Sequence, residues 1–163
     1  MPLTKVQSAM TDTLVSGTAV TASGTSVDFT GIPSWVKRIT VMFNGVSTNG
    51  TSFLQVQIGA GSVTTSGYIS TASIISGSVF TTNATTGFIT YSNAAANAVS
   101  GQMILTLVSG NIWVSQHTLK LNSTNTGIGG GDITLGGTLD RVRITTVNGT
   151  DTFDAGTINI LYE

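Results

Sequence analysis

Cysteine is absent from this 163-residue chain, which excludes disulfide staples and thiolate metal sites. Charge is scarce as well: six Lys and Arg against seven Asp and Glu leave a formal net charge of −1. That balance provides no general electrostatic pull toward nucleic acid or an anionic membrane surface. No window approaches the roughly 20 consecutive apolar residues that a membrane helix needs. The segment Met1 to Met10 carries one lysine and no apolar run, so it does not read as a signal peptide. Helical periodicity is almost missing; only Leu3, Val6 and Met10 show it, in a stretch that reads as a short arm over residues 1–14.

The residues that are present point to a folded chain. Hydrophobic residues make up 40% of the sequence, too many for a disordered chain, and its length is that of one domain with a real core. Asp, Glu, Lys and Arg do not occur between Ile39 and Leu119. Ordinary monomer surfaces intersperse charges of both signs. An uncharged half, wetted by hydroxyls and amides, is therefore expected to pack against other protein, first of all copies of itself.

Short alternating apolar runs, punctuated by Gly, Asn and Ser, predict an all-β fold. Val27 and Phe29 flank Asp28; Ile39, Val41 and Phe43 alternate with Thr40 and Met42; Leu54, Val56 and Ile58 alternate with Gln55 and Gln57. Asn44-Gly45 through Asn49-Gly50 reads as the loop between the last two of these. Further strands are predicted over 103–108, 112–119, 139–147 and 157–162, the first two forming a hairpin about Ser109-Gly110-Asn111. The region 59–101 reads as strands with long loops. Eight to ten strands at this spacing suggest one antiparallel β-sandwich over residues 15–163, with a jelly roll as the expected topology.

Few residues invite chemistry. His117, the only histidine, would have to be the base of any Ser–His–Asp triad, yet no G-x-S-x-G elbow accompanies it. A hydrogen-bonded or interface histidine is the expected role. Asp151 and Asp154, near Asn148, could offer oxygens to calcium or form a carboxylate pair, but their spacing matches no EF-hand loop and equally suits Asx turns. Gly127-Ile128-Gly129-Gly130-Gly131 lacks the Lys-Ser/Thr and the helix of a phosphate loop, and reads as a flexible loop. No cofactor is implied. Lys37, Arg38, Arg141 and Arg143 are too few, without interleaved aromatics, for a nucleic-acid stripe. They are expected to pair with Asp28, Asp132 or Asp140, or to mark a subunit contact. Trp113 reads as core, whereas Tyr68 and Tyr91 are the aromatics expected to be exposed for stacking on a glycan.

Several segments resemble small bacteriophage virion proteins of the tail-fibre-like or particle-accessory kind. They are Phe29-Thr30-Gly31-Ile32-Pro33-Ser34, Lys37-Arg38-Ile39-Thr40-Val41, Asn44-Gly45-Val46-Ser47-Thr48, Leu139 to Thr146 and Asp154 to Ile160. The centre, about Tyr68 to Gly101, lies outside the resemblance. It implies a non-enzymatic β-sandwich subunit, a homotrimer, assembled into the virion beside other virion proteins. Two roles fit that expectation: a host-attachment component contacting a surface glycan or receptor, or a capsid decoration protein. The rival class is a carbohydrate-binding module or lectin, with a glycan-active enzyme behind it.

Overall fold

The computed structural model describes residues 14–163, which form two antiparallel sheets. The larger runs, in spatial order, β1 (Val15–Ser16), β14 (Phe153–Tyr162), β4 (Arg38–Thr48), β10 (Val99–Ser109), β11 (Ile112–Lys120), β12 (Thr126–Thr134), β7 (Ile69–Ile75) and β8 (Val79–Ala84). A short β2 (Val20–Thr21) also pairs with β14. The smaller sheet runs β3 (Ser26–Thr30), β13 (Arg141–Thr146), β5 (Leu54–Ala60) and β6 (Ser62–Val63), with β9 (Phe88–Ile89) on β5. The predicted arm falls almost wholly outside the described residues.

Alternation explains how the sheets meet. Ile39, Val41, Phe43, Met103, Leu105 and Trp113 leave the large sheet on one face. Val27, Phe29, Val56, Ile58, Val142 and Ile144 leave the small sheet toward them, and all join one buried cluster. The fold is therefore an antiparallel β-sandwich. With nine strands in one layer and five in the other, it is larger than the eight-stranded double sheet of a simple jelly roll. No helix among the described residues is long and apolar enough to cross a membrane.

The hairpin of β10 and β11 forms as predicted, with Gly110 at φ 53° in the turn. Three sequence expectations are corrected. First, Asn44-Gly45 does not begin a loop; β4 continues to Thr48, and the pairing with β14 slips one register there. Gly45 at φ 63° and Gly156 at φ 95° make this bulge, and a Cβ on Gly156 would stand 2.5 Å from the Gly45 carbonyl oxygen.

Second, β5 is buried on both faces, so Gln55 and Gln57 are not solvent-facing. The segment leading into β9 lies over them. Thr86 Oγ1 donates to Gln55 Oε1 at 2.8 Å, and Gln57 Nε2 donates to the Thr86 carbonyl at 2.8 Å. The sequence between β5 and β10 thus serves both layers: β7 and β8 extend the large sheet, while β9 returns to the small one. Third, Gly127 to Gly131 is no flexible loop but the middle of β12, paired on both sides with β11 and β7.

Candidate functional site

The outer face of the large sheet is the most distinctive surface. In the register of β10, β11, β12 and β7, two rows face outward: Ile104, Gln116, Gly130 and Thr71, then Gln102, Thr118, Ile128 and Ser73. They line an open trough of about 710 Å³. Gly130 leaves its floor without a side chain, while two amides and three hydroxyls stand around it and Ile104 and Ile128 supply apolar contact. No Asp, Glu, Lys or Arg borders it; His117 is the one ionisable residue of its lining. Alternation from Trp113 could have pointed to Gln116 and Thr118 as outward residues, but the partner strands β12 and β7 were not legible.

His117 lies on the opposite, inner face of β11, with Trp113, Ser115 and Leu119. It is only 6% exposed, and neither ring nitrogen has a hydrogen-bond partner, which corrects the expectation of a bonded or interface histidine. The Ser115 hydroxyl is likewise buried and unbonded. Removing the imidazole from water disfavours its charged form, so its pKa is pushed down to about 4. At neutral pH the ring is an uncharged part of the core.

This imidazole also explains the glycine run. Residues 127, 129 and 131 point inward from β12, directly beside β11 and β7. A Cβ on Gly129 would lie 2.4 Å from His117 Cε1 and 2.5 Å from the Thr71 carbonyl oxygen. At Gly131 it would meet the Ile69 carbonyl oxygen at 2.5 Å. The glycines make room for neighbours rather than cradling phosphate.

Tyr68 is not an exposed stacking residue. It is 1% exposed, packs edge-on to Phe88 at 5.0 Å, and its hydroxyl accepts from the Ile58 amide at 2.8 Å. Burial pushes its pKa up to about 12, partly offset by that backbone hydrogen bond. Tyr91 is half-buried, edge-on to Phe53 at 5.2 Å, and packs against the core. The Tyr68 ring offers no open face for a sugar.

Three arginines are each paired with a carboxylate. Arg143 Nε donates to Asp28 Oδ1 at 2.7 Å, Arg141 Nε to Asp140 Oδ1 at 2.7 Å, and Arg38 Nη1 to Glu163 Oε1 at 3.1 Å. Two of the expected acceptors, Asp28 and Asp140, are thus used; Asp132 is not among these pairs. The hydrogen bond from Arg141 holds the Asp140 carboxyl below its ordinary pKa. Lys37 is exposed, and its backbone amide donates to the Glu163 carbonyl at 2.7 Å.

Asp151 and Asp154 do not converge. Asn148 Nδ2 donates to Asp151 Oδ1 at 2.7 Å and the Ser52 amide to Oδ2 at 2.9 Å, which together lower the Asp151 pKa. Asp154 accepts instead from the Ser47 hydroxyl. Among the described residues, no group of three His, Asp or Glu side chains is placed to hold a metal ion. No family model, curated protein or solved structure matches the chain.

Proposed function

We propose that this protein is a non-enzymatic structural component of a bacteriophage particle that works by packing against copies of itself and other virion proteins. The observation that carries the reading is the uncharged band across the outer face of the large sheet, the two rows on β10, β11, β12 and β7 that lie between the row of Arg38 and Asp132 and that of Lys120. Such a face can approach another protein without desolvating ions, which is the costly part of burying a charged surface. The engaged carboxylates and the core position of His117 support a role without catalysis. The resemblance of both chain ends to virion proteins supports the particle, with three copies as its implied number. Immunogold labelling of purified particles should place this chain at regular positions; particles without label would overturn the assignment.

A second reading rests on the trough. Amides and hydroxyls around an open, uncharged floor suit a neutral glycan, whose hydroxyls need matched donors and acceptors. This is the lectin-like alternative, moved from Tyr68 and Tyr91 to Gln102 and Gln116. Gln116→Ala should weaken binding of neutral host polysaccharide about tenfold, the loss of one good hydrogen bond. Equal binding by both proteins, or none by either, removes this reading.

A further inference from the structure

The large sheet ends, on one side, in a strand without the usual protection. Strand β8 pairs with β7 through Ser70↔Ala84 to Ile75↔Val79, and among the described residues its other edge is unpaired. Natural edge strands are blunted by lysine, proline, inward charges or cover, because open N–H and C=O groups recruit any free strand. β8 reads Val-Phe-Thr-Thr-Asn-Ala, with no proline and no charge. Val79 and Phe80 are 66% and 55% exposed, and Ile75, opposite Val79, is 47% exposed. Phe80 points to the inner side of the sheet, yet the small sheet does not cover it.

We infer that β8 is an assembly edge at which two copies of this chain pair antiparallel, joining their large sheets into one. The inference rests on the reading that the protein works by packing against copies of itself. The partner is argued from charge and symmetry. The stretch from Ile39 to Leu119 carries no ion, so two identical edges meet without like-charge repulsion. A strand that pairs antiparallel with itself satisfies a two-fold axis, the commonest symmetry of soluble oligomers. The opposite edge of the sheet offers only two-residue strands, a poorer match for six residues of β8. Phe80 supplies the aromatic anchor typical of an interface centre. The contact makes a dimer alone, and it joins trimers in pairs where a three-fold contact is also present.

The test is the solution mass of the full chain by light scattering, for wild type and for Val79→Lys/Phe80→Lys. Both side chains are more than half exposed, so the strand circular dichroism should be retained. The double variant is expected to have half the wild-type mass, while Val147→Lys, at an exposed site just after β13 of the small sheet, leaves the mass unchanged. Should the double variant fail to fold, Val79→Lys alone is read in the same way. An associated wild type whose mass the lysines leave unchanged overturns the β8 contact but leaves self-packing intact. A wild type that stays at 16.7 kDa overturns both.

Discussion

Acidification from pH 7 to pH 5 is expected to cost the fold about 2 kcal/mol, and pH 4 about 3 kcal/mol, almost all of it through His117. The sign follows from burial. In the folded state the imidazole pKa lies at about 4, below its ordinary 6.5, because the ring is enclosed with no partner for a proton. The unfolded chain therefore binds a proton, as pH falls below 6.5, that the folded chain does not. Stability is complete above pH 6.5 and falls by about 1.36 kcal/mol per pH unit toward pH 4. Among the described residues no Asp, Glu, Lys or Arg is buried, so nothing charged in their core stands ready to stabilise an imidazolium. Asp140 and Asp151, whose pKa values are lowered, lose their contribution only below the ordinary 3.8. Denaturant titrations at pH 7 and pH 5 isolate the histidine, because the chain has no other. The same titrations on His117→Leu should show almost no difference; an equal slope in that variant would show that the pH dependence lies elsewhere.

Adding one methyl group at Gly129 is expected to destabilise the protein by about 3 kcal/mol, at the upper end of the usual cost of overpacking a core. The new Cβ would overlap His117 Cε1, and it would also meet the Thr71 carbonyl oxygen at 2.5 Å. The ring could rotate away; the Thr71 backbone is held in the β7 ladder and cannot move without disturbing β12 pairing. Gly136→Ala is the matched control, since a Cβ there meets nothing within 4 Å. It should change stability by less than about 0.5 kcal/mol. Denaturation midpoints of the two variants decide the matter: a Gly129→Ala protein as stable as the control would mean that β12 does not sit against β11 and β7 in this register.

The two predictions mark where the sequence is legible and where it is not. Strands with a clean period of two, such as 39–43, 112–119 and 157–162, could be read directly, because one face of each is buried and the other wet. β5 defeated that reading: its glutamines are covered by a distant segment, and alternation carries no information about a second layer. β12 failed for a different reason. Three of its inward positions, 127, 129 and 131, are glycines, so most of its apolar face has been removed to make room for His117 and the β7 backbone, and only the neighbours reveal why. Tyr68 could not be placed because its polar flanks, Ser66-Gly67 and Ser70, suggest a surface, whereas its hydroxyl is satisfied inside by Ile58 and Thr64. The trough is invisible in sequence for the same reason as sheet order: it needs four strands drawn from residues 71 to 130 to lie side by side.

The claim at the centre of this account is that the protein acts through surfaces that pack against copies of itself. Light scattering of the wild-type chain at neutral pH tests it most directly. A mass that is a whole multiple of 16.7 kDa, at least twice it, and that holds on dilution through the micromolar range is the predicted result. A single species of 16.7 kDa at every concentration would contradict it.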